Sequence, residues 1–508
     1  MTDNAQRNAK KNMIFPLASQ LVRLACGMVV PGLLLGAYGS ESYGATQSII
    51  NFLIYIQLLD CGVSSVTRSM LYGPLAAGDY GAVAKILADA KRYFRLVSLI
   101  FVGYVLVLAC GFGLSSRSQV LGTASTVLMV LAISLSTHAE CFMGLEKIVL
   151  LQADQKNYLM ELFSMAMVVV NTIGIVVLIR LGAPFLLVKL CSSLAYCLRP
   201  ILAGITVRRQ YPQLRKLPIP KEPLRLRWEG MGQHVAFFLH SYKDGVVLTL
   251  LTDLTTVAVH SVYQLVVLQI QMIATAFSTG MEAIFGSLLV REDKTQLRAA
   301  FRMYDTLISC LAVLLLSVTG VLVVPFVRVY TANITDANYI QPLFAAIYVL
   351  AGLVFCLRVP HLAMIQAAGR FRETQWAAYG EAALNIGLSV IMVRLMGLPG
   401  VAVGSFVSLS ARMIYSMIYL SRHILKQGIA SMVCRELVNG LIFALCTLAG
   451  RLILRFLPIT GYFTWVLAAI PVFLTALALV LGLNLLCYPK ETKQTIRKLI
   501  GRKNHVQA

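Results

Sequence analysis

The chemistry-bearing residues of this chain are charges set where charges are costly. Seven basic residues, Arg23, Arg68, Lys189, Arg199, Lys243, Arg358 and Arg412, fall inside long apolar runs. A charge at the middle of a bilayer costs about 2.5–3.5 kcal/mol on insertion scales, so it faces a cavity or a partner. Arg23 stands about ten residues into the first run, roughly 15 Å deep at about 1.5 Å per residue. That is too deep for its stem to reach water easily. Its guanidinium either meets an anionic ligand or forms a structural ion pair with a carboxylate such as Asp60.

The second run places Gln57, Asp60, Ser64 and Arg68 at spacings of 3, 4 and 4, on one face of an α-helix. Asp60 on that face can carry a proton or pair with a cation. Arg68 either lines the inner mouth or snorkels to headgroups. The seventh run holds His240, Lys243 and Asp244, of which the last two can neutralise each other. The eighth is polar, with Gln264, Gln269, Gln271, Ser278, Thr279 and Glu282. Such groups bind sugar hydroxyls or bond between helices. Arg358 and His361 flank Pro360, a sequence that predicts a break in the tenth run. Arg412 and Lys189 read as structural interface residues, and His138 and Glu140 as polar residues near a loop. The ligand-binding candidates are therefore Arg23, Asp60, Arg68, Lys243, Gln264, Gln271 and Arg358.

The elements that must position them are membrane helices. Of the 508 residues, 58% are hydrophobic and 13% are charged, against about 25% charged in soluble chains. Fourteen apolar runs, from 13–37 and 44–71 to 462–487, are long enough to span a bilayer. The most polar are 233–252 and 257–290, the second long enough to tilt or project. The fold class is all-α and polytopic. The first run carries Arg23 and lacks a cleavage site, which predicts a retained span.

The net charge of +22 sits mostly in short loops between runs, and no nucleic-acid motif accompanies it. With the N-terminus inside, six basic residues lie in outer loops and seven in the spans, leaving 31 of 44 inside. That bias predicts cytoplasmic termini. The eleven cysteines are scattered without a CxxC pair, so neither a disulfide framework nor a metal site is expected. A basic stretch with Pro212, Pro218, Pro220 and Pro223 occupies 207–232 and reads as a cytoplasmic linker that can lie on anionic headgroups.

The linker separates two halves that repeat. Residues 151–181 align with 365–395 at a constant offset, pairing Gln152 with Gln366, Asn171 with Asn385, Arg180 with Arg394, and Lys156 with Arg370. Each segment ends in a Gly-x-Pro turn, at Gly182 and Gly397. Both run the same way through the membrane, so the repeat is parallel, with a site expected between the halves.

Further local patterns carry a family resemblance. The stretch 33–44, ending Tyr38-Gly39-Ser40-Glu41-Ser42-Tyr43-Gly44, resembles the first loop of bacterial polysaccharide flippases. Leu59-Asp60-Cys61-Gly62 with Arg68 resembles their second span, and Ala77-Gly78-Asp79 the loop after it. Gln366-Ala367-Ala368-Gly369-Arg370 and Gly397-Leu398-Pro399-Gly400 resemble their eleventh and twelfth spans. The chain resembles the polysaccharide branch of the multidrug/oligosaccharidyl-lipid/polysaccharide exporter superfamily. The resemblance implies two six-helix lobes around a central cavity, alternating access, and translocation of polyprenyl-pyrophosphate-linked oligosaccharide across the inner membrane. It implies membrane lipids as surroundings, with a polysaccharide polymerase and glycosyltransferases of the same pathway as partners.

The expected organisation is an N-terminal lobe at 1–206, the linker at 207–232, a second lobe at 233–420, and two further helices with a basic tail at 421–508. No phosphate-binding loop, metalloprotease motif or nucleophile elbow is present, so neither an enzyme nor a cofactor is expected. A peptidoglycan-precursor flippase and a cation-coupled multidrug exporter of the same superfamily remain as alternatives. The sign of the cavity separates anionic from cationic substrates. A net-positive chamber requires at least one of Arg23 and Arg358 to lack a carboxylate within about 4 Å.

Overall fold

The computed structural model of the chain describes residues 3–60, 63–114, 122–215, 243–291 and 293–500. Every regular element among them is helical. In order they are α1 (Asp3–Leu53), a tight turn of 3-10 helix (Ile54–Asp60), α2 (Val63–Ala77), α3 (Tyr80–Leu114), α4 (Thr123–Met143), α5 (Leu145–Ala153), α6 (Asn157–Arg180), α7 (Phe185–Gln210), α8 (243–251), α9 (Leu254–Ala276), α10 (Ser278–Val290), α11 (Lys294–Tyr330), α12 (Pro342–Ala367), α13 (Phe371–Met396), α14 (Leu398–Tyr419), α15 (Ile429–Leu454), α16 (Tyr462–Cys487) and α17 (Pro489–Ile500).

The helices are apolar on both faces. On α3, Val83, Ile86, Ala90, Phe94, Val97, Phe101 and Val105 recur every three or four residues and are buried against α2 and α4. The opposite face shows Leu99 and Val107, each 70% exposed. A face of that kind is stable in hydrocarbon and not in water. Twelve helical stretches among the described residues are long and apolar enough to cross a membrane.

Two of the fourteen expected spans are not among those twelve. Run 44–71 is divided. Its first part continues α1, and the predicted break survives only as Gly39, whose φ of 79° and ψ of 170° interrupt the helix. Its second part passes through the 3-10 turn before α2 begins. A 3-10 turn advances three residues per turn and not 3.6. The expected face from Gln57 to Arg68 crosses residues 61 and 62, and like the side chains of Gln57 and Asp60 these lie outside the described residues. Run 233–252 falls largely outside the described residues, with α8 as its described part.

The chain divides into two compact units, Met1–Val246 with Asp253–Ala258, and Val247–Thr252 with Val259–Ala508. The expected second lobe began at 233, yet 243–246 belong to the first unit. A close approach explains it. A Cβ on Gly245 would lie 2.0 Å from the Asn51 amide nitrogen, so only glycine lets α8 lie this close to α1. In the second unit α11 packs against α12, α15 and α16, so the two helices after the repeat belong to this unit's core.

The repeat is present in the backbone. Gln155 and Gly369 occupy equivalent positions and take φ of 54° and 66°. Lys156 N–H donates to Leu151 O at 2.8 Å, and Arg370 N–H to Ile365 O at 3.3 Å, in the same register. Gly182 and Gly397 then repeat the left-handed turn with φ of 67° and 65°.

Candidate functional site

The site in the second unit begins with a spacing of small residues. Gly400 and Gly404 stand four apart on α14, where a Cβ would lie 2.2 Å from the Met392 backbone and 2.2 Å from Ser389 Oγ. Glycine at both positions brings α13 and α14 into backbone contact, as small-xxx-small pairs do in membranes. Within that contact Asn385 donates through Nδ2 to Ser405 Oγ at 3.0 Å and Ser408 Oγ at 2.9 Å. One turn before Asn385 is Glu381, and one turn after Ser408 is Arg412.

Glu381 is the centre of a buried charge group. Arg358 of α12 holds Oε1 at 2.8 Å, and Arg412 Nε lies 3.8 Å from Oε2. Arg412 also donates to Thr374 O at 3.0 Å. All three side chains are less than 10% exposed, at 6%, 8% and 6%. Two guanidinium groups share one carboxylate, a formal +1. The Nε atoms of Arg358 and Arg412 have no hydrogen-bond partner among the described residues. Each guanidinium also lies beside an aromatic ring, Phe355 at 5.6 Å and Tyr415 at 5.7 Å. This arrangement can accept an anion without first supplying charge.

In the first unit two of the intramembrane arginines each face one carboxylate. Arg23 Nη2 of α1 lies 2.7 Å from Glu161 Oε2 of α6, with the side chains 38% and 20% exposed. Arg199 of α7 lies 3.2 Å from Glu140 of α4. The expectation that Arg23 or Arg358 would lack a carboxylate is therefore overturned, since both are paired. The acids that pair them, Glu161 and Glu381, were absent from the sequence tally, although the rule that singled out Arg23 applies equally to a carboxylate inside an apolar run.

The remaining candidates are dispersed. The backbone of Asp60 ends the 3-10 turn, and its side chain lies outside the described residues. Arg68 is half-buried on α2, and Lys243 on α8 is 2% exposed. His240 lies outside the described residues. Gln264 and Gln271 are half-buried two turns apart on α9. Gln271 lies beside Gly352 of α12, one and a half turns before Arg358. The break expected at Pro360 is not seen, for α12 continues through it with Arg358, Pro360 and His361 all buried. Arg412, read as an interface residue, joins the charge group instead.

Each repeat also carries a polar knot at its first turn. Tyr211 donates its hydroxyl to Asp154, which pairs with Lys156 at 2.7 Å. Burial and then the bond to Asp154 push the Tyr211 phenol up. In the second unit Tyr419 donates to Glu373, which pairs with Arg370 at 2.5 Å.

No family model matches the sequence, and no curated protein matches it. Solved structures do match. The lipid II flippase MurJ in an inward closed conformation gives a TM-score of 0.60 at 14% identity, over 92% of this chain and 98% of that one. An inward-facing multidrug resistance MATE family transporter of the MOP superfamily gives 0.58 at 15% identity, over 82% of this chain and 99% of that one. The MATE multidrug transporter DinF-BH gives 0.55 at 14% identity, over 83% and 96%. The chain is an all-α, multi-pass membrane protein with the fold shared by MATE transporters and the flippase MurJ.

Proposed function

We propose that the chain is a flippase that moves a polyprenyl-pyrophosphate-linked oligosaccharide across the inner membrane by alternating access. It then serves exopolysaccharide, capsule or O-antigen assembly, beside the pathway's glycosyltransferases and polymerase. The observation that carries this reading is the sharing of Glu381 by Arg358 and Arg412, which leaves a formal +1 among buried groups. A pyrophosphate is the complement of such a pair, because arginine forks match phosphate oxygens. Arg23, Lys243, Gln264 and Gln271 remain candidates for charge and sugar contacts, as do Asp60 and Arg68 at the second run. The bias of basic residues toward one set of loops supports a cytoplasmic position for both termini and the 207–232 linker. The local sequence patterns of the first two spans favour the polysaccharide branch.

Two other readings have an observation each. The larger share of this chain covered by the MurJ match, 92% against 82%, supports a peptidoglycan-precursor flippase. Glu282, half-buried on α10 without an ion-pair partner among the described residues, supports an exporter of cationic compounds. A binding measurement on purified protein tests the reading. Polyprenyl pyrophosphate should raise the melting temperature, polyprenyl monophosphate less, and a cationic dye not at all. Stabilisation by the dye alone would refute the anionic-substrate reading.

A further inference from the structure

We propose that Asp305, His361 and Glu436 form a binding site for a divalent first-row transition metal that fastens α15 to α11 and α12. One ligand atom from each of these residues lies within 4.8 Å of the other two. They come from three helices and are separated by 56 and 75 residues, so nothing in their spacing announces them. Asp305 is 4% exposed and His361 is 1% exposed.

The argument rests on how each ligand is held. Asp305 uses Oδ2 for Arg435, whose Nε lies 3.3 Å away, and its Oδ1 is buried with no partner among the described residues. Glu436 uses Oε2 to accept from Asn439 Nδ2 at 3.0 Å, leaving its other oxygen. His361 Nδ1 lies 3.2 Å from Leu357 O. A carbonyl only accepts, so a neutral His361 carries its proton on Nδ1 and keeps a lone pair on Nε2. Each ligand thus has one atom engaged by the protein and a second left to bind, and such outer-shell partners orient metal ligands.

A second observation points the same way. Ser309 stands one turn after Asp305 on the same face of α11, is 1% exposed, and its hydroxyl has no partner among the described residues. Arg435 has further partners besides Asp305. Its guanidinium also donates to Thr306 Oγ1 and lies 4.9 Å from the Tyr488 ring.

Charge calls for a cation, and the donor set selects which. The two carboxylates and Arg435 sum to a formal −1 in a buried place, which is costly without a counter-charge. A divalent ion changes that sum to +1 and a proton to zero, so charge alone does not decide. A proton needs only two atoms, whereas three convergent atoms including an imidazole nitrogen suit Zn²⁺ or a neighbouring metal and not Ca²⁺ or Mg²⁺. Zinc bonds of about 2.0–2.2 Å set ligand atoms roughly 3.5 Å apart, so closure asks each side chain for a small rotation.

The test uses full-length protein in detergent, stripped with a chelator and titrated with Zn²⁺ alone. Zinc per chain is counted by mass spectrometry, and melting temperature is followed in parallel. One equivalent should bind and raise the melting temperature. Asp305→Asn, His361→Gln and Glu436→Gln should each lose that equivalent. Asn439→Ala removes only an outer partner, so it should fold and bind about 10–100-fold more weakly. Zinc retained equally by all four variants, or no zinc on the wild type, overturns the proposal. So does a protein stabilised by acid in the absence of metal and indifferent to zinc, which marks a proton site.

Discussion

Arg358 and His361 stand one turn apart on α12 and belong to two buried charge groups of opposite sign. Arg358 shares Glu381 with Arg412, a formal +1. His361 meets Asp305 and Glu436 beside Arg435, a formal −1. The helix between them is continuous despite Pro360. A change of charge in one group is therefore felt by the other across a single helical turn, in surroundings that screen little.

The first expectation concerns the balance within the positive group. Glu381→Gln leaves two buried guanidinium groups without a carboxylate, and breaking a buried pair in this way costs about 3–5 kcal/mol. Arg412→Met leaves Arg358 and Glu381 as a neutral pair and should cost less. Thermal unfolding of the two variants in detergent compares them. Equal losses would show that the second arginine is not in excess.

Arg23 and Glu161 separate a structural ion pair from a ligand contact. Arg23→Ala should abolish transport at near-normal membrane abundance, and Arg23→Lys should retain part of it, since charge is kept and the planar fork is lost. The exchange Arg23→Glu with Glu161→Arg restores the pair with its ends reversed. It should restore abundance but not transport. Full recovery of transport in the exchanged protein would make the pair purely structural.

The repeat gives an expectation about the backbone. Gln155 takes the left-handed φ of 54° that Gly369 takes at 66°. A non-glycine residue pays roughly 1–2 kcal/mol there, partly offset by the greater freedom of glycine when unfolded. Gln155→Gly should raise the melting temperature slightly, and Gly369→Val should lower it. Identical behaviour of both variants would mean that the two turns are not equivalent in energy.

What the sequence made legible follows from range. Apolar runs, the repeat from Gln152 to Leu395, and the Gly182 and Gly397 turns are local patterns, and each has its counterpart in the structure. Arg358 was found because a lone charge in an apolar run is conspicuous. Its partners were not, because Glu381 and Arg412 lie 23 and 54 residues away on other helices. The close contact of α13 and α14 was written in Gly400 and Gly404, but only packing shows which carboxylate that contact delivers. The face from Gln57 to Arg68 is a different case, because residues 61 and 62 and the side chains of Gln57 and Asp60 lie outside the described residues. A period of 3.6 was assumed where the chain takes a 3-10 turn.

Topology can be measured separately from substrate. In a cysteine-free background, a cysteine at Gln213 should resist a membrane-impermeant thiol reagent added to intact cells, and one at Asn333 should react. Gln213 lies in the turn after α7 and Asn333 in the turn after α11. Labelling at 213 from outside would invert the orientation inferred from the basic loops.

The most direct measurement is translocation itself. Purified protein is reconstituted into vesicles carrying a fluorescent polyprenyl-pyrophosphate-linked oligosaccharide, and the sugar reaching the opposite leaflet is read by its accessibility to an added quencher. Expected is protein-dependent movement of the lipid-linked sugar that is lost in Arg358→Ala, with no uptake of a cationic dye under an imposed ion gradient. Gradient-driven dye uptake with no movement of the lipid-linked sugar would contradict the flippase reading and favour the exporter.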